Sequence, residues 1–401
     1  MSRSRLFTQI PPISLTNKIT RDLRIDFFRG LALLMILVDH VESRLELEML
    51  SHFTLKSVGY CDAAEVFVFL SGYLYGRVYD RIYEEQGTLK CLSKSVQRGI
   101  SLYFITLLTL ICCLAISIPF ALFNPPISAR LHLTPFISQP IETMLYASTL
   151  LFEPYGFGIL RLYIIFFVAL IPLLFLLFQS NKLLAWLLSI NLYLCSQLFS
   201  EFTVPMLLEE IRLFHFNPFA WQFLFFIGIS IGSKPDFAKS VLNRFRFLGY
   251  ISLIISGAVV FLNVVQPLLS SLVAAESIVE DPFDHSFLSK QMLAPERLIN
   301  FLALAYLVNM LTSIDDPFWK SRMAYPFVVC GKNPLTIYCL GLVLMYLIVA
   351  ISFSFSLSVW WVTMLNIAGC LLSCLVAQAL NRHRQIDEPG KPIPDIRAKS
   401  N

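Results

Sequence analysis

Arg29 and His40 stand eleven positions apart in one hydrophobic stretch, IDFFRGLALLMILVDHV at 25–41. On an α-helix that is about three turns, roughly 16 Å of rise, so both side chains point to one face near opposite ends of the span. A guanidinium and an imidazole are costly in hydrocarbon unless they meet partners or water. Asp26 and Asp39 add two acids to the same stretch. Four ionisable groups in this arrangement mark a helix that lines a polar path rather than a simple anchor. The chemistry open to them is of two kinds. An imidazole, with an unperturbed pKa near 6.5, suits general base work. A guanidinium grips a carboxylate or phosphate with two N–H groups at once.

A second stretch supplies partners. CDAAEVFVFLSGYLYGRVY (61–79) carries Asp62 and Glu65 three positions apart, on one helical face at the depth of His40. Glu65 or Asp62 is therefore the expected holder of the His40 tautomer. Asp39, about 100° round the helix from its neighbour, is a poor one. Asp26, one turn before Arg29, is expected to hold that guanidinium. Ser71, Gly72 and Gly76, lower down the second stretch, give close helix approach or unwound backbone. Plainer readings stand beside these: Asp62 caps its helix, Gly72 merely packs, and Arg29 snorkels to an interface. Lys290 and Arg297, at the mouth of a later apolar run, could steer an acidic or sugar substrate. Trp221 and Trp360 could stack sugars or anchor at a membrane interface.

The elements that must position these groups are membrane helices. Of the 401 residues, 56% are hydrophobic and 14% charged, with a mean hydropathy of +0.68, far outside the soluble range. The fold class is all-α, a polytopic membrane bundle of about ten transmembrane helices of roughly 20 residues each. Apolar runs place them at 24–41, 63–79, 100–123, 159–179, 183–200, 218–232, 247–265, 297–313, 333–352 and 358–380. The boundary between the last two is the least marked. Segment 142–157 is apolar as well and reads as an interfacial or re-entrant piece. The polar, basic residues before the first span form no cleavable signal peptide.

Charge orients the set. Arg3, Arg5, Lys18, Arg21 and Arg24 precede the first span; Arg77, Arg81, Lys90, Lys94 and Arg98 follow the second. Lys234, Lys239, Arg244 and Arg246 follow the sixth, and Arg382, Arg384, Lys391, Arg397 and Lys399 lie in the tail. The alternate loops are poor in cations. Both termini are then cytoplasmic, with an even number of spans. Three parts follow: a basic cytoplasmic segment 1–23, a membrane domain 24–380 and a cytoplasmic tail 381–401. The loop 266–296 is the longest outer connection and the best external substrate-contacting segment. The formal charge of +4 expresses this bias and is no nucleic-acid patch. Cys112, Cys113, Cys195, Cys339, Cys370 and Cys374 fall in spans and act as small apolar residues. No metal site, P-loop or dinucleotide fingerprint is expected.

The stretch RDLRIDFFRGLALLMILVDHVE (21–42), followed by GYCDAAEVFVFLSGYLYGRVY (59–79), closely resembles the OpgC family, inner-membrane proteins that succinylate osmoregulated periplasmic glucans. FNPFAWQFLFFIGISIG (216–232), LAPERLINFLALAYLV (293–308) and GKNPLTIYCLG (331–341) agree with it. The family is similar to a wider membrane acyltransferase superfamily marked by Arg, ten residues, then His, which Arg29 and His40 match. The resemblance implies a donor, acyl-CoA from the cytoplasm and succinyl-CoA first among candidates, and an acceptor, a periplasmic glucan or other glycan. No cofactor is held tightly, and membrane lipid is the surrounding partner. Two stretches depart from the family pattern. Gly158-Ile159-Leu160-Arg161-Leu162-Tyr163 has lost an acid and gained a cation, and Ser289-Lys290-Gln291-Met292 replaces another polar run. On this reading His40 is the base, Glu65 and Asp62 support it, Arg29 and Asp26 serve the donor, and Lys290 and Arg297 serve the acceptor. The rival class is a transporter or channel for protons or a small polar substrate, which would also line its path with Arg, His and carboxylates.

Overall fold

The computed structural model describes residues 21–199, 206–208, 211–212, 215–234, 247–261 and 289–387. The basic segment before Arg21, most of the 266–296 loop and the end of the tail lie outside the described residues. Helix dominates. The main helices are α1 (Leu23–Leu45), α2 (Ala63–Phe123), α3 (Gly158–Ser180), α4 (Lys182–Leu198), α5 (Pro218–Ser233), α6 (Phe247–Val260), α7 (Pro295–Leu311), α8 (Tyr325–Lys332), α9 (Pro334–Ser354) and α10 (Val359–Asp387). The one departure from an all-helical chain among the described residues is a short antiparallel ladder, Met206–Leu208 with Ile211–Arg212.

Each stretch predicted as a span falls on one of these helices. Among the described residues four helical segments are long and apolar enough to cross a membrane: Ala63–Phe123, Gly158–Ser180, Pro334–Ser354 and Val359–His383. The chain is thus a helical membrane protein. α10 fits that setting, because Trp360, Met364, Leu371 and Leu375 all face outward, a surface suited to lipid and not to water. The sequence predicted a loop between the second and third spans, at 80–99. Instead the helix runs on from Ala63 to Phe123 and bends only at Gly87, whose φ of 79° and ψ of 177° are non-helical. That left-handed φ is easy only for glycine. Good helix formers on either side keep the arms wound, so the cations expected in a loop ride on helix instead. The short helix α8 was not anticipated; Pro334 at the start of α9 separates the two.

Glycines bring the site-bearing helices together. Gly72 and Gly76 of α2 face Gly228 and Gly232 of α5. A Cβ on these would run into the carbonyls of Phe225, Ile229, Phe69 and Tyr73 respectively. Two small-x-x-x-small stripes therefore lock backbone against backbone. In the same way, α1 meets α8 where Gly30 lies on the Phe327 carbonyl and Gly331 on that of Asp26. Gly72 packs, as its plainer reading has it, and Gly76 gives close approach on a backbone that stays wound. Around this frame sits an aromatic core in which Tyr75 stacks on Tyr79 at 3.9 Å and Phe225 meets Tyr75, Tyr163, Phe166 and Phe167.

Candidate active site

α1 is unbroken from Leu23 to Leu45, so Arg29 and His40 do share a face about 16 Å apart along one rod. Asp22 begins it as N-cap, accepting the Arg24 N–H at 3.0 Å.

At the Arg29 end lies a cavity of about 330 Å³. Its walls are apolar, with hydroxyls from Ser71, Tyr75 and Tyr79 of α2, Tyr163 of α3 and Tyr338 of α9, and with a second cation, Arg98, on the far arm of α2. No acid lines it. The guanidinium of Arg29 stands 6.0 Å from the Phe67 ring, and its Nε is buried with no hydrogen-bond partner. A buried donor left in that condition costs free energy, and an anion entering the cavity would satisfy it. The expected partner is taken elsewhere. Asp26 is held by Arg21, whose Nε and Nη2 donate to its two oxygens at 2.5 and 2.9 Å. Arg21 precedes the helix and reaches down to the first turn, so Asp26 makes no hydrogen bond to Arg29.

At the other end His40 is half-buried, 5.6 Å from the Tyr155 ring, with Nδ1 beside Gly156. It forms no hydrogen bond with any described residue. Asp39 points away, as expected, and accepts from the Thr54 hydroxyl at 2.8 Å. The expected link from His40 to Glu65 or Asp62 is absent among the described residues, for a local reason. Asp62 and Glu65 form a capping box at the start of α2: Asp62 accepts the Ala64 N–H at 2.7 Å, and Glu65 accepts the Asp62 N–H at 2.9 Å. The capping reading of Asp62 therefore holds. The remaining oxygens bind the two cations assigned to the acceptor. Lys290 Nζ lies 2.6 Å from Asp62, and Arg297 lies 2.6 Å from Glu65 and 3.3 Å from Asp62. Residues expected to act separately thus form one tetrad. Burial alone would raise the Asp62 carboxyl, yet Lys290 and Arg297 hold it below the usual carboxylate range. Burial likewise pulls the Lys290 ammonium down, and Asp62 and Glu65 more than offset it, so it stays charged.

A further ion pair explains one departure from the family pattern. Arg161 carries its own acid, Glu153, at 2.7 Å, and donates to the Leu150 carbonyl at 3.0 Å. Glu153 also accepts the His215 N–H at 3.3 Å. Its carboxyl is nonetheless raised, because burial outweighs both partners. Burial, reinforced by Lys290, drops the His215 imidazole to about 4. The segment 142–157, read as interfacial or re-entrant, is the end of a short helix followed by a loop that comes in to His40. Tyr338 donates to the Gly156 carbonyl at 2.7 Å and Tyr346 to that of Tyr155 at 3.1 Å. The guanidinium of Arg44 covers the Tyr155 ring at 3.7 Å. Tyr338 therefore touches both ends of the site, lining the Arg29 cavity and fixing the loop beside His40.

Sequence reasoning passed over Tyr155, Glu153, Tyr163, Tyr338 and the place of Arg98. Tyr338 lies in GKNPLTIYCLG, Tyr163 in the run 158–163 and Glu153 and Tyr155 in the segment 142–157, but the sequence alone gives none of them a role. Trp221 is no sugar platform; it is wholly buried and donates to the Lys290 carbonyl at 3.0 Å. Trp360 is exposed at the start of α10.

The fold and site together define a helical membrane protein with a cationic cavity, lined by no acid among the described residues, and an imidazole at opposite ends of one helix. The chain belongs to the OpgC protein family, whose model matches residues 21–385. That family membership supports a membrane acyltransferase as the class of activity. No curated protein and no solved structure matches the chain.

Proposed function

We propose that the chain is an integral membrane O-acyltransferase that moves an acyl group, succinyl first among candidates, from cytoplasmic acyl-CoA to a hydroxyl of a periplasmic glucan or related glycan. The observation that carries this reading is the division of α1: at one end a guanidinium whose buried Nε has no partner, in a cavity that no described acid lines, and at the other an imidazole with no hydrogen bond to any described residue. Arg29, with Arg98, binds an anionic group of the donor, either a CoA phosphate or the distal carboxylate of a succinyl group. His40 removes the proton of the acceptor hydroxyl as its oxygen attacks the thioester carbonyl. The C–O bond forms, the C–S bond breaks, and the thiolate leaves and takes up a proton. Asp62, Glu65, Lys290 and Arg297 support the acceptor side as a charge-balanced wall beside His40. Asp26 serves the donor side indirectly, by fixing Arg21 against the first turn of α1.

The test is consumption of acyl-CoA by the purified protein with a glucan acceptor, read as free thiol released and acyl groups gained. A transporter would leave the thioester intact, and that outcome would remove the reading. Mass spectrometry of periplasmic glucans from cells with and without the gene identifies the acyl group and the acceptor.

A further inference from the structure

A second cavity, of about 680 Å³, lies behind the site, between α1, α2, α6 and α7. Its body is apolar, with Phe28 and Met35 of α1, Phe69 of α2 and Leu302 of α7 among its walls. One end is polar, where Arg24, Arg77, Asn309 and Thr312 gather. Along α1 the lining runs from Asp22 to Met35, about 20 Å at 1.5 Å per residue. Half of a hydrocarbon core about 30 Å thick is about 15 Å, so the groove measures one leaflet with a headgroup layer at its polar end. The two arginines differ. Arg24 is neutralised by Asp22 at 2.9 Å and donates to the Thr312 carbonyl. Arg77 donates only to the Tyr73 hydroxyl at 3.1 Å and has no acid in ion-pair range among the described residues. Among the described residues the polar end thus carries one cation with no acid paired to it. The apolar walls of a groove this size offer water few partners and offer a hydrocarbon chain dispersion contacts along their length.

We propose that this groove is a binding site for one glycerophospholipid, from the leaflet on the side where α1 begins, with an acyl chain in the apolar body and the phosphate on Arg77. The assignment stands on the groove alone and needs neither acyl transfer nor a particular orientation. It also has a consequence for the site. Phe28 and Met35 face the groove while Arg29 faces the donor cavity, and Phe69, Tyr73 and Arg77 face the groove while Phe67, Ser71 and Tyr75 face that cavity. α1 and the first arm of α2 are the partition between them, so a bound lipid braces the back of the helix that carries Arg29 and His40.

Native mass spectrometry of the full-length protein released from micelles tests it, with phosphatidylglycerol and the diacylglycerol of the same chains as probes. The wild type retains one phosphatidylglycerol and holds it more tightly than the diacylglycerol. Ala305→Trp, which fills the groove from a half-exposed position on α7, lowers retention of both. Arg77→Gln weakens phosphatidylglycerol about tenfold, the scale of one charge-assisted contact, and leaves the diacylglycerol unchanged. A folded, monodisperse Ala305→Trp that retains phosphatidylglycerol like the wild type overturns the groove as the site. If that variant does not fold, Arg77→Gln decides alone: unchanged affinity for phosphatidylglycerol overturns the assignment. Equal binding of both probes by the wild type does so too.

Discussion

His40 is the histidine that sits within a predicted span, and among the described residues its imidazole has no carboxylate to break from before it takes a proton. His40→Ala is therefore expected to lower acyl transfer by about 10²–10⁴-fold, the usual worth of a general base, while acyl-CoA binding and folding persist. Stable His40→Ala protein with wild-type glucan acylation removes the imidazole from the mechanism. Arg29→Gln is expected to fail at the other step. It lies at the end where the donor is proposed to enter, with its Nε buried and unpartnered, so loss of the cation weakens acyl-CoA binding by about tenfold or more. Arg98→Gln should weaken it in the same direction. A binding titration on the purified variants decides the matter: equal acyl-CoA affinity for Arg29→Gln and wild type sinks the division of labour between the two residues, though not acyl transfer itself.

The elements show which part of the site was readable. Periodicity put Arg29 and His40 on one face, because both lie on a single helix and eleven residues is nearly a whole number of turns. It also put Asp62 and Glu65 together, and the spacing that suggested paired acids is equally that of a capping box. Their partners were beyond its reach as partners. Lys290 and Arg297 lie more than 220 positions away in the chain, and no local pattern says which cation meets which acid. Arg161 looked like an intruder for a different reason: its acid, Glu153, is only eight positions earlier, but it sits on a loop whose return onto the helix no periodicity predicts. The tetrad makes an element-scale prediction. Glu65 is wholly buried and Arg297 nearly so, so Arg297→Met strands a carboxylate and destabilises by about 3–5 kcal/mol. Adding Glu65→Gln should recover much of that loss. A double variant no more stable in detergent melting than Arg297→Met would show that the two side chains are not energetically coupled. The glycine stripes predict likewise that Gly228→Leu, which meets the Phe69 carbonyl, separates α2 from α5 and lowers the melting temperature sharply, whereas the same change at Gly257, where a Cβ meets open space, does not.

Across the whole molecule the hydropathy pattern located the helices well, since burial in lipid demands runs of apolar residues that internal hydrogen bonding turns into helix. It placed breaks less well. The cation-rich stretch 80–99 stayed helical because only Gly87 departs from helical geometry there, and the run 333–380 parted at Phe355–Ser358, where Ser356 takes a φ of 47°. Which side of the membrane each end faces is a matter of charge. Arg24, Arg77 and Arg98 lie toward the end where α1 begins, while Asp62, Glu153 and Lys290 lie toward the His40 end, and the positive-inside rule makes the first end the one expected to face the cytoplasm. The proposed route of the acyl group depends on that assignment, because acyl-CoA is made in the cytoplasm and must reach Arg29 first. Reporter fusions after Arg98 and after Lys399 are expected to report a cytoplasmic site, and one at Glu280 a periplasmic site. A periplasmic signal at Arg98 would turn the bundle over. It would place the acid-free cavity on the side where no acyl-CoA is made, and so remove Arg29 as the donor residue while leaving the helix packing untouched.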